Sequence, residues 1–214
     1  MVSFDVQGPI NVAILELFPS DNVVQKFCSI FLLNLDEENI VTSRYRVYSY
    51  PELCRSFEEI AKDDSLGCIL IVTHGIPAHK ATIEDPELRS NEDFKILGDF
   101  GVWSKIFRKA FDQRIVVFAI CHSSDKEQID LIYHQAMAAH VITPHPDNPE
   151  LHIQPGGEAV AKFINNIYHC NLTQIPPESV ENAFDEMNNE FPKILKLWPY
   201  EVDPELMDHF TQDL

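Results

Sequence analysis

Apolar runs alternate along this chain with segments that carry apolar residues at helical spacing. Two continuous runs, Cys68–Thr73 and Arg114–Ile120, predict strands buried on both faces of a parallel sheet. Three shorter runs predict further strands at Ile10–Leu17, Tyr45–Tyr50 and His140–Thr143. Helices are predicted after a cap at Ser20 or Asp21, from Pro51 to about residue 63, over 102–111, after Ser124, after Pro155 and its two glycines, and over 178–191. This order predicts the α/β class, with a mainly parallel sheet and helices on both faces.

The length of 214 residues favours one domain, predicted over residues 1–197, followed by an acidic tail or short helix over 198–214. No internal repeat or low-complexity linker divides the chain. A long polar loop over 75–97 lies between the first strongly apolar strand and the next helix, and loops of this length are often functional.

Two chemically active side chains follow the two most apolar strands. His74 comes after the first and Cys121 after the second, 47 residues further along the chain. If these strands are neighbours, both side chains emerge at the carboxyl edge of the sheet, where such folds carry their chemistry. A histidine can take the proton of a thiol and so create the nucleophilic thiolate. The backbone N–H groups of Gly75 and Cys121 could hold the oxyanion of a tetrahedral intermediate.

Charge and composition exclude several classes of protein. The formal net charge of −18 argues against a nucleic acid or an anionic membrane as the main partner. No apolar run reaches eighteen residues, and the N-terminus has no signal-peptide pattern. Five cysteines, an odd number without close pairs, predict reduced thiols in a cytoplasmic protein. The absence of a phosphate-binding glycine loop argues against a nucleotide-dependent enzyme.

Two segments, VTHG at 72–75 and FAICHSS at 118–124, resemble the signatures of the caspase-like (clan CD) cysteine peptidases. Cys121-His122-Ser123 is similar to the Cys-His-Ser of metacaspases, and the layout after it resembles the bacterial CHAT branch. The resemblance covers about residues 10–190. It implies a cysteine endopeptidase with Cys121 as nucleophile, His74 as general base and acid, and Gly75 and Cys121 N–H groups as the oxyanion hole. It implies no metal or organic cofactor, a protein or peptide substrate, and activation by a partner protein, self-association or self-cleavage.

The flanks of the cysteine depart from the family pattern, so substrate preference cannot be transferred. Metacaspases usually have acidic residues just before the cysteine, whereas this chain has Phe118, Ala119 and Ile120. The acidic loop at 84–93 and the net charge favour a basic residue before the scissile bond. Candidate substrate-pocket residues are Asp99, His79, His122 and Asp125.

Other interpretations stay open. The histidines and the cysteine that follow Cys121 match no familiar zinc spacing (His140, His145, His152, His169 and Cys170). The main functional alternative is a catalytically silent caspase-like module that binds a partner protein. A weaker alternative is another cysteine hydrolase with a small substrate. If the chain is an endopeptidase, the CHAT resemblance suggests a role in bacterial defence or stress.

Overall fold

A six-stranded sheet forms the centre of the protein in the computed structural model. The structure describes residues 6–7, 11–36, 40–73, 109–121, 123–124, 126–168, 174–175 and 177–198. The strands are β1 (Val6–Gln7), β2 (Asn11–Leu17), β3 (Thr42–Val47), β4 (Leu66–Val72), β5 (Ile115–Ala119), β6 (His140–Pro144), β7 (Gln174–Ile175) and β8 (Leu195–Trp198). The order in the large sheet is β3-β2-β4-β5-β6-β8, and β1 and β7 form a separate two-stranded pair. The first five strands of the large sheet are parallel, and β8 is antiparallel to β6.

Helices cover both faces of this sheet, so the predicted class is confirmed, and it is consistent with a caspase-like α/β fold. The helices are α1 (Asn22–Asn34), α2 (Tyr50–Ile60), α3 (Lys126–Ala136), α4 (Ile153–Tyr168) and α5 (Pro177–Glu190). One apolar core joins α1, α4 and α5 to the sheet, and the other joins α2, α3 and the helical residues 109–111 to the opposite face. Strands β4 and β5 are buried along their whole length, as their continuous apolar sequences predict.

Local chemistry accounts for the helix boundaries and for the closest helix packing. Of the two predicted cap residues, Asp21 caps α1, because its carboxylate accepts hydrogen bonds from the N–H groups of Val23 and Val24. Helix α4 packs on α1 through Gly157, where an added Cβ atom would lie 2.9 Å from Ile30 Cγ2. A side chain at this position would therefore push the two helices apart.

The second strand was predicted three residues too late. β3 spans Thr42–Val47 rather than Tyr45–Tyr50, and Tyr50 already belongs to α2. Aromatic residues continue past Val47 at Tyr48 and Tyr50, so the apolar pattern alone does not mark the strand end. Pro51 fixes the helix start instead, since proline suits the first helical turn.

Two further boundaries differ from the sequence predictions. Helix α4 begins at Ile153, so Pro155 and the glycines after it lie in its first turns rather than before it. Strand β8 was not predicted, and it includes Trp198, while residues 199–214 lie outside the described residues. Of the predicted helix over 102–111, only residues 109–111 are described, and they are helical. Among the helices of the described ranges, none is long and apolar enough to cross a membrane.

Candidate functional site

The carboxyl edge of β4 and β5 is the part of the sheet to which the sequence assigned chemistry. The two strands are parallel neighbours, and their register pairs Val72 with Ala119. The ladder extends one step further, where Thr73 N–H donates to the Ala119 carbonyl at 3.5 Å. In the sequence, His74 and Cys121 each stand two positions after the paired residues. The prediction that these two strands are neighbours, on which the dyad hypothesis depends, is therefore confirmed.

Cys121 occupies a tight turn directly after β5 and is half-buried. The turn is closed by Ser123, whose N–H and Oγ both donate to the Ile120 carbonyl, at 3.3 and 2.7 Å. The chain has no cis peptide bond among the described residues, and in a trans peptide the C=O and N–H point in opposite directions. The N–H of Cys121 therefore points away from Ser123 and out of the turn. Such a donor is suited to stabilising an oxyanion beside the thiol.

The other described cysteines differ from Cys121 in their surroundings. Burial raises the pKa of the Cys28 thiol and of the Cys68 thiol to about 12, and the Glu16 carboxylate adds to the effect at Cys28. Neither of these thiols forms a thiolate near neutral pH, so they are inert core residues. Cys54 is half-buried on α2 and borders a cleft of about 580 Å³ whose described lining also includes Phe57, Glu58, Ala61, Lys62 and Lys109. Among the described cysteines, only Cys54 and Cys121 are thus partly accessible to a reagent.

A buried carboxylate near the end of β2 was missed by the sequence analysis. Glu16 is 1% exposed, and its Oε1 accepts from Arg44 Nε at 2.5 Å, while Arg46 Nε lies 3.7 Å from Oε2. The register pairs Glu16 with Val72, so the carboxylate lies near the carboxyl end of the strand beside β4. A single acid inside the apolar run VAILEL was the available signal, because such an acid must be paired when it is buried.

The direction in which successive strands are added to the sheet reverses next to β4. The chain moves outward from β2 to β3 and in the opposite direction from β4 to β5, so the switch point lies between β2 and β4. In open α/β sheets, ligands bind in the crevice outside the strand ends at such a point. The proposed site thus lies next to the location that this topology favours.

Several predicted site residues lie outside the described residues: His74, Gly75, His79, Asp99, His122 and Asp125. Cys121 is the predicted site residue that the structure does describe. Over the described ranges, the structure contains no group of three or more His, Cys, Asp or Glu side chains that could hold a metal ion. Burial lowers the pKa of His140 to about 4, which keeps this imidazole neutral in the folded protein. His169 and Cys170 are outside the described ranges.

No family model, no curated protein and no solved structure matches this chain.

Proposed function

We propose that this protein is a cytoplasmic cysteine endopeptidase that hydrolyses peptide bonds through a Cys121/His74 dyad. The observation that carries the proposal is the parallel pairing of β4 and β5, in register at Val72 and Ala119. A histidine and a cysteine follow these paired positions at equal distance in the sequence. The partial exposure of Cys121 in a turn, and the outward direction of its N–H, support its role as the nucleophile.

The proposed reaction has two stages. His74 accepts the proton of the Cys121 thiol, and the thiolate sulfur attacks the carbonyl carbon of the scissile bond. The N–H groups of Cys121 and Gly75 stabilise the oxyanion, and one such donor typically lowers a barrier by about 3 kcal/mol. When the C–N bond breaks, His74 returns its proton to the leaving amine and a thioester remains on Cys121. Water then attacks the thioester with His74 as base, which releases the acid and regenerates the thiol.

The charge of the protein bears on the substrate. With 34 acidic against 16 basic residues, the protein surface favours basic protein segments over acidic ones. We therefore expect Lys or Arg before the scissile bond, with Asp99, His79, His122 and Asp125 as the residues to test for this preference. The activity is expected to be regulated by a partner protein, by self-association or by self-cleavage.

The test is covalent labelling with peptidyl acyloxymethyl ketones that carry either Arg or Asp as the leading residue. The sulfur of an activated cysteine displaces the carboxylate leaving group of such a probe and forms a thioether, so intact mass and peptide mapping locate the adduct. We expect wild-type protein to be labelled at Cys121, more rapidly by the Arg probe, and labelling to be lost in Cys121→Ala and strongly reduced in His74→Ala. Hydrolysis of a fluorogenic peptide with the same leading residue should follow the same pattern.

Cys54→Ala is the matched control, because Cys54 is the other partly accessible cysteine among the described residues. This variant should label and hydrolyse like the wild type. Labelling that does not depend on His74, or that spreads over other cysteines, would contradict the dyad. Such a result, together with absent hydrolysis, would favour the catalytically silent module that binds a partner protein.

A further inference from the structure

Among the described residues, the outer edge of β3 carries unpaired backbone N–H and C=O groups at residues 42, 44 and 46. β3 is the first strand in the sheet order and pairs with β2 on its inner side. The Val41 and Val47 carbonyls accept from the N–H groups of Val12 and Phe18 on that inner side, each at 3.0 Å. Because backbone groups of successive strand residues point to opposite sides, the N–H and C=O groups at 42, 44 and 46 point outward. Within the described ranges, these groups have no hydrogen-bonding partner.

Two of these three positions carry arginines that lie near the buried Glu16 carboxylate. Arg44 is bound to the buried Glu16, and Arg46 lies 3.7 Å from the same carboxylate while its side chain is 59% exposed. Two guanidinium groups face one carboxylate, so one positive charge remains uncompensated within this trio. In a chain with a net charge of −18, this makes the edge of β3 a locally basic strip.

Exposed apolar side chains stand at both ends of the strand. Val41, directly before β3, is 61% exposed, and Tyr48, directly after it, is 57% exposed. Free sheet edges are commonly protected by flexible charged side chains that prevent pairing. Here the guanidinium of Arg44 is instead bound to Glu16, and among the described residues the outward backbone groups between the exposed Val41 and Tyr48 side chains stay unpaired.

We propose that the β3 edge binds an extended acidic segment of a partner protein by strand addition. Backbone hydrogen bonds to residues 42, 44 and 46 would supply the pairing, as in other cases of recognition by an added strand. Carboxylates at alternate positions of the segment would face Arg44 and Arg46 and neutralise the positive charge that Glu16 leaves uncompensated. A six-residue strand is about 20 Å long, which matches a segment of five to seven residues.

The experiment measures binding of fluorescent seven-residue peptides by anisotropy. One peptide alternates glutamate with valine, and a second replaces the glutamates by lysines. Two further peptides are N-methylated versions of the acidic peptide, one on the odd-numbered and the other on the even-numbered amides. We expect the acidic peptide to bind, the lysine peptide not to bind, and one of the two N-methylated peptides to bind at least tenfold more weakly than the acidic peptide. These comparisons leave the protein unchanged, so its folding does not affect them.

Protein variants locate the binding surface. Arg46→Glu should weaken the acidic peptide at least tenfold, whereas Lys109→Glu, an equal charge change at an exposed lysine outside β3, should have little effect. Circular dichroism checks that both variants fold. Any one of three results would overturn the proposal: equal binding of the acidic and lysine peptides, unchanged binding of both N-methylated peptides, or unchanged binding by Arg46→Glu. So would concentration-dependent self-association of the wild type that Arg46→Glu abolishes, because the edge would then be occupied by a second copy of this chain.

Discussion

Removal of one hydroxyl group, in Tyr133→Phe, should destabilise the protein more than its size suggests. Tyr133 is 3% exposed on α3, and its hydroxyl joins the two last strands of the sheet. It donates to the Trp198 carbonyl at 2.6 Å and accepts from the Val141 N–H at 3.0 Å. Val141 and Trp198 are the terminal pair of the β6–β8 ladder, so the hydroxyl bridges the strands where the ladder ends.

The expected loss follows from the two groups that the substitution leaves unpaired. The Val141 N–H is buried, and an unsatisfied buried donor costs about 1–3 kcal/mol. The Trp198 carbonyl belongs to a half-buried residue, where water can replace part of the bond, so its loss adds about 0.5–1 kcal/mol. The sum is about 1.5–4 kcal/mol. At about 2–4 °C per kcal/mol for a chain of this size, it lowers the melting temperature by about 3–16 °C.

The assay is urea-induced unfolding of wild-type protein and Tyr133→Phe, followed by circular dichroism. Tyr45→Phe is the matched control, because Tyr45 is half-buried in β3 and its hydroxyl has no hydrogen bond to any described residue. The control should change the free energy of unfolding by less than about 0.5 kcal/mol. A loss of the same small size in Tyr133→Phe would refute the argument. Faster hydrogen exchange at the Val141 amide would localise the effect.

Two further perturbations act elsewhere in the fold. Because burial lowers the His140 pKa from 6.5 to about 4, the unfolded chain binds a proton more readily between these values, and stability falls as the pH drops through this window. The loss in the free energy of unfolding approaches about 3 kcal/mol near pH 4. This pH-dependent loss should be absent in His140→Phe. In Gly157→Ala, the new Cβ atom meets Ile30 at 2.9 Å, so we expect a net loss of about 1 kcal/mol in thermal unfolding despite the better helix propensity of alanine. A stabilised Gly157→Ala would show that α1 and α4 can separate without cost.

The candidate site was partly predictable from local sequence. The apolar runs that end before His74 and Cys121 identified two buried strands, and the β4–β5 pairing confirms that they are neighbours. The role of Ser123 was not predictable, because a serine after the cysteine is equally compatible with a helix cap. Its two hydrogen bonds to the Ile120 carbonyl depend on the path that the chain takes after leaving the sheet.

Glu16 shows that sequence patterns do not predict which residues on another strand a side chain will contact. Its place in an apolar run was a signal of burial that the sequence analysis did not use, and its partners lie on β3, at Arg44 and Arg46. Sequence alternation predicts which residues share a face of one strand, whereas a partner on another strand depends on register. The charged edge of β3 therefore became visible only when β2 and β3 were aligned.

Elements whose information is local could be predicted from the sequence. Continuous apolar runs indicated β4 and β5, the cap candidates Ser20 and Asp21 located the start of α1 to within one residue, and Pro51 indicated the start of α2. The three-dimensional fold alone sets which strand lies beside which, that Leu195–Trp198 forms an antiparallel last strand, and which strand lies at the edge of the sheet among the described residues. The physical reason is that local propensity and capping act within one turn or strand, whereas strand pairing is a long-range choice. That choice is made by burial and backbone hydrogen bonds, which no single segment contains.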